Sequence, residues 1–115
     1  MASEEDVRRI ALSLPEVEER PWYGTPGWRV RGRSFARTRD HGEVLVAFVA
    51  DEEDKAALIA GDPEKYFTTP HYDGWAVVLV RLAAVGEREL RELLVDAWRV
   101  RAPKRLLAEH GDALG

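Results

Sequence analysis

The residue types able to do chemistry fall in two places along this chain. The first is Pro70-His71-Tyr72-Asp73-Gly74, where a histidine stands two residues from an acid in a loop bounded by proline and glycine. A histidine near a carboxylate is the pairing that general-base catalysis uses. Here no serine, threonine or lysine nucleophile can be assigned beside it, and Asp73-Gly74 is already explained as turn chemistry. No catalytic residue is therefore named, and the chain is expected not to be an enzyme. His71 with Trp22, Tyr23, Tyr72 and Trp75 reads instead as a surface for a small ligand or a protein partner. Aromatic walls with few polar groups are typical of such pockets, although tryptophans more often serve the core.

The second place is Arg29 to Arg39, which holds five arginines and no acid. Arg29 and Arg31 are expected to share a strand face, Arg33 to sit at a hairpin connection, and Arg37 and Arg39 to share a face of the next strand. A two-stranded ribbon of this kind can lie along a groove with its guanidinium groups on phosphates. Trp28, Phe35 and Trp75 would offer stacking surface to an unpaired base. Lys104 and Arg105 follow a helix C-terminus, where the dipole favours cations, and would extend the basic surface if tail and ribbon meet. The competing reading is a solvated strand face paired with nearby acids.

The whole-chain balance limits these readings. Net charge is -4, unlike the basic balance usual in nucleic-acid binders. A local positive field still survives on an acidic protein, because charges are screened beyond roughly 8 Å at physiological salt. The acids crowd at Glu4 to Asp6, Glu16 to Glu19 and Asp51 to Asp54. Several converging oxygens would suit a hard cation, but capping and the helix dipole explain the first group. Arg8 and Arg9 oppose it within the same helix. There is no cysteine, so thiolate chemistry, disulfides and Cys-based zinc sites are excluded. No cofactor or metal is expected. No apolar run approaches the roughly 20 residues that span a bilayer, and the acidic start lacks the apolar stretch of a secretory signal. The expectation is a cytoplasmic monomer with no membrane partner and DNA as the possible one.

The elements that would position these residues follow from the pattern. At 115 residues the chain fits one domain (1–115, core about 4–107, tail 108–115) with a sizeable core. Ser3 opens a capping box, and Val7, Ile10, Ala11 and Leu14 form one helical stripe ended by Pro15. Residues 18–23 are expected as a short strand and Thr25-Pro26-Gly27 as a turn. Trp28 to Arg31, Ser34 to Arg39 and Val44 to Val49 then form an antiparallel meander joined at Gly32-Arg33 and Asp40–Glu43. A helix opens at Asp51–Asp54 and stops at Gly61-Asp62-Pro63. Tyr66-Phe67 is a short extended piece and Trp75 to Leu82 a buried strand. A long helix carries Leu90, Leu93, Leu94, Ala97, Trp98 and Arg101 on one stripe and ends at Ala102-Pro103. The tail has some helical potential. Strands in a run with helices outside them indicate α+β, with the helices on one face of an antiparallel sheet.

Ser13-Leu14-Pro15-Glu16-Val17-Glu18-Glu19, Trp28 to Ala36, His71-Tyr72-Asp73-Gly74-Trp75 and Ala102-Pro103-Lys104-Arg105-Leu106 occur in that order. Together they resemble the MmcQ/YjbR family, over about residues 4–107. The resemblance implies a CyaY-like fold, the frataxin-type α/β sandwich, with N- and C-terminal helices on one face of the sheet. It also implies a non-enzymatic DNA-binding role and supplies no catalytic residues. A frataxin-like acidic ridge for cations is a weaker implication of the same fold.

Overall fold

The computed structural model describes residues 1–21 and 24–110; Trp22, Tyr23 and residues 111–115 lie outside them. Helix α1 (Glu4–Ser13) begins where the sequence places it, with Ser3 and Asp6 exchanging the two bonds of a capping box. Its apolar stripe buries Val7, Ile10 and Ala11. Strands β1 (Val17–Glu19), β2 (Gly27–Val30), β3 (Arg33–Arg39) and β4 (Val44–Phe48) follow as the expected meander. Helix α2 (Glu52–Gly61), strand β5 (Tyr66–Phe67), a 3-10 turn (Pro70–Tyr72) and strand β6 (Val77–Arg81) come next. Helices α3 (Glu87–Arg101) and α4 (Lys104–His110) end the described chain. The sheet is antiparallel throughout, in the order β1-β2-β3-β4-β6-β5.

Strand side chains alternate between two faces, and the two faces of this sheet meet different neighbours. One face sends Trp28, Val30, Phe35, Leu45, Ala47, Val78 and Val80 into the main core, against α1 and α3. Trp98 of α3 lies fully buried there, its indole N–H donating to Pro15 O at 3.0 Å. The other face carries Val44, Val46, Val77 and Leu79, with Tyr72 packed on them and Phe48 and Phe67 alongside. This is the α+β arrangement expected, with the N-terminal helix and the long C-terminal helix on one side.

Several boundaries differ for local reasons. Strand β1 is the shorter Val17–Glu19, and the end of the expected 18–23 strand lies outside the described residues. The β2–β3 connection is Arg31-Gly32, one residue earlier than expected. Both residues have positive φ, at 50° and 80°, and Val30 pairs with Arg33 across them. A two-residue hairpin of this kind needs positive φ at both central positions, with glycine favoured at the second. Strand β3 then bulges opposite Trp28 and Arg29, which lets Phe35 and Ala36 both lean toward the core. Strand β6 begins at Val77, so Trp75 precedes it. Leu82 starts a 3-10 turn instead of ending the strand. The tail is firmer than expected: α4 runs to His110 and anchors itself with buried Leu106.

Candidate functional site

The face of the sheet turned away from α1 and α3 holds a groove of about 750 Å³. Val46, Phe48 and Val77 give it an apolar floor; Arg37, His71, Tyr72 and Trp75 line it with Ser34 and Arg101, and Ala36, whose side chain faces the core, borders it. Register explains the grouping. Arg37 lies opposite Val46, which lies opposite Leu79, and Phe48 lies opposite Val77. Residues directly opposite in an antiparallel ladder share a face.

Two arginines give the groove its charge. The Arg37 guanidinium donates through Nη2 to the Tyr72 hydroxyl and stands 6.0 Å from the Tyr72 ring centre. Arg101, at the end of α3, donates from Nε to Ser34 O at 2.9 Å. Its guanidinium lies 4.5 Å from the Phe48 ring centre, within the range of a cation–π contact. Among the described residues neither meets a carboxylate. Both are held by neutral groups, which fix geometry without cancelling charge. His71 packs edge-on against Tyr72 with ring centres 4.9 Å apart, and Trp75 is 61% exposed at the rim.

The wall that carries Tyr72 and Trp75 is fastened from behind. Lys55 of α2 is 5% exposed. Its ammonium donates to Tyr72 O at 2.7 Å and Trp75 O at 3.0 Å. A buried charge is tolerable only when its hydrogen bonds are satisfied. Here it ties both ends of the short segment whose side chains line the groove.

The expected arginine ribbon is divided. Arg37 and Arg39 do share a face, and Arg29 joins them there opposite Ser34 and Glu18. Arg31 does not share a face with Arg29: it occupies the hairpin turn and gives Nε and Nη2 to Glu16 at 2.6 and 3.0 Å. That bidentate bond, first among the causes, holds the Glu16 carboxyl below its usual range and raises the Arg31 guanidinium. Arg33 begins β3, exposed, with Nη1 3.5 Å from Arg101 O. Arg39 lies 3.4 Å from the Asp40 carboxylate. Lys104 and Arg105 are exposed at the start of α4. The bonds from Arg33 to Arg101 O and from Arg101 to Ser34 O join the end of α3 to the hairpin; they involve neither Lys104 nor Arg105. Trp28 and Phe35 are fully buried and cannot offer stacking surface. Of the aromatic candidates, Trp75 is open, Tyr72 is buried in the wall, His71 is exposed, and Trp22 and Tyr23 lie outside the described residues.

The acids of the expected cation ridge are engaged elsewhere. Glu5 and Glu19 bind Arg8, Asp6 caps α1 and pairs with Arg9, Glu18 pairs with Arg20, and Glu4 accepts from Thr38 at 2.6 Å. Glu16, Glu109 and His110 bring one ligand atom each within 4.8 Å of one another, but both Glu16 oxygens already accept from Arg31.

Sequence reasoning missed the parts of the groove that come from far apart. Phe48 hides within an apolar run, Arg101 reads as a helix residue with a buried stem, and Lys55 follows an acidic helix start. Only the alternation of β4, which puts Val46 and Phe48 on one face, carries any signal.

Residues 12–100 match the family model described as YjbR. Uncharacterized proteins of Mycobacterium tuberculosis and Mycobacterium bovis are each 39% identical, covering 93% of this chain and 94% of theirs. The crystal structure of a Deinococcus radiodurans protein with a DUF419 domain superposes with a TM-score of 0.76 at 24% identity, over 96% of this chain and 89% of that one. That likeness shows the same fold. On the family match and the near full-length relatives together, the chain belongs to the YjbR family.

Proposed function

We propose that this protein is a non-enzymatic binding module whose working surface is the groove on the open face of the sheet. The partner is an anion that carries a flat or apolar body. The observation that supports this most is that Arg37 and Arg101, each held by a neutral acceptor, both line a groove with an apolar floor. Guanidinium groups without a carboxylate partner keep their full attraction for an incoming anion, and they do so beside low-dielectric walls that strengthen it. An assigned nucleophile–base pair is missing from this surface, so the reading is binding and not catalysis.

DNA remains the macromolecular reading, favoured by Arg29, Arg37 and Arg39 on one face. In this geometry the strand would be single, with a base on Phe48 or Trp75 and phosphates on the arginines. Duplex grip by the hairpin tip is less favoured, because Arg31 is bound to Glu16.

The test is 8-anilinonaphthalene-1-sulfonate, a flat fluorescent anion, titrated against native protein and variants. The expected result is enhancement that falls about tenfold in affinity for Arg37→Gln, the loss of one charge-assisted contact, and is unchanged for Arg31→Gln. Equal affinity across all three proteins would overturn the assignment of this face.

A further inference from the structure

We infer that the groove takes one small organic molecule, with a flat unsaturated body and a single carboxylate. This rests on the reading of the open face as the binding surface and narrows it to a class of ligand.

The first argument is the set of donors. Tyr72 Oη accepts from Arg37 Nη2, so its own proton must point elsewhere. Among the described residues Arg37 is the partner of this hydroxyl. Arg37 and Tyr72 therefore present a guanidinium and a hydroxyl side by side on the groove wall. A planar guanidinium fork matches a carboxylate, and the adjoining hydroxyl supplies a further donor. Arg101 also lines the groove, its plane committed to Phe48 and its Nε to Ser34 O.

The second argument is size and confinement. A space of about 750 Å³ is the size of a pocket for one small ligand, roughly 300–1,000 Å³. It is bounded at the Tyr72–Trp75 wall, which Lys55 fastens, and at the end of α3. A polymer needs a basic track that continues beyond one unit. Near this groove two of the arginine charges are answered, Arg39 by Asp40 and Arg31 by Glu16, and the exposed Arg33 bonds Arg101 O, so the unanswered charge beyond the groove is one residue of the hairpin and not a track. The third argument is global. A net charge of -4 opposes a polyanion far more than a monoanion.

Calorimetric titration of the full chain with 2-naphthoate, 2-naphthamide, thymidine 5′-monophosphate and an eight-nucleotide thymidine strand tests this. The expected result is that 2-naphthoate binds, while its neutral amide binds at least tenfold more weakly. Tyr72→Phe and Arg37→Gln each weaken 2-naphthoate about tenfold, the scale of one hydrogen bond to a charged group, with melting curves confirming that both variants fold. Equal binding of amide and carboxylate would overturn the inference. Binding of the nucleotide or the strand without 2-naphthoate would also overturn it, and loss of that binding in Arg37→Gln would leave the face as the binding surface. Heat from none of the four probes would overturn the narrower inference and the broader reading together.

Discussion

The two faces of this sheet are built from the same strands by the same alternation, and they end as different materials. On the helix side, α1 and α3 cover Trp28, Phe35, Leu45 and Val80 so completely that each is 0% exposed. On the other side, Val44, Val46 and Leu79 are buried by a turn and a loop, while Phe48 stays partly open and Trp75 stands 61% exposed. The polar groups follow the same division. Thr38, on the helix side, is buried and donates to Glu4. Arg37, one residue earlier, is on the groove side and binds only a phenol. Cover, not strand composition, decides which face stabilises the fold and which is left for a partner.

That contrast breaks most sharply at the tryptophans. Trp98→Ala removes a fully buried side chain and the bond to Pro15 O. It should cost about 3–5 kcal/mol, read as a fall in the denaturant midpoint at constant slope. Lys55→Met comes next. It takes the ammonium donor from the Trp75 carbonyl and from the Tyr72 carbonyl, which keeps its bond from Trp75 N–H, at about 1–3 kcal/mol. Unlike the core variant at equal destabilisation, it should weaken 2-naphthoate binding while the protein is still fully folded. Trp75→Ala should change stability by less than about 0.5 kcal/mol, as exposed substitutions do, and yet lower ligand affinity. A large stability loss there would mean that the rim is part of the core.

The smallest effect concerns acid. Arg31 lowers the Glu16 carboxyl from its ordinary value of 4.5, chiefly by hydrogen bonding. A group lowered on folding stabilises above its unfolded value, and that contribution is lost as pH falls through the folded one. The native protein should therefore lose slightly more stability between pH 5 and 3 than Glu16→Gln, measured by urea melts at each pH; parallel curves would deny the pair any role.

The fold was largely legible because its signals are local. The Ser3–Asp6 capping box, the stripe of α1, the Gly61-Asp62-Pro63 stop and the alternation of β2 to β4 each act within a few residues. The hairpin slipped by one position because positive φ at Arg31, a non-glycine residue, leaves no mark that a strand pattern records. The site was legible only in fragments. The 71–75 segment and Arg37 stand out by residue type, but Arg37 meets Tyr72 across 35 positions of sequence and Arg101 meets Ser34 across 67. Such pairings depend on how β3 bulges and where α3 ends, which are tertiary outcomes. The same limit made Trp28 and Phe35 look available for stacking when the bulge and α3 bury them.

The most direct test of the central claim is a ¹H–¹⁵N correlation titration of the labelled chain with 2-naphthoate. The account predicts shifts concentrated at Ser34, Arg37, Phe48, Tyr72, Trp75 and Arg101, with the Trp28 and Trp98 indole signals unmoved. Shifts centred on Arg31, Arg33, Lys104 and Arg105, or a spectrum that does not change, would contradict it.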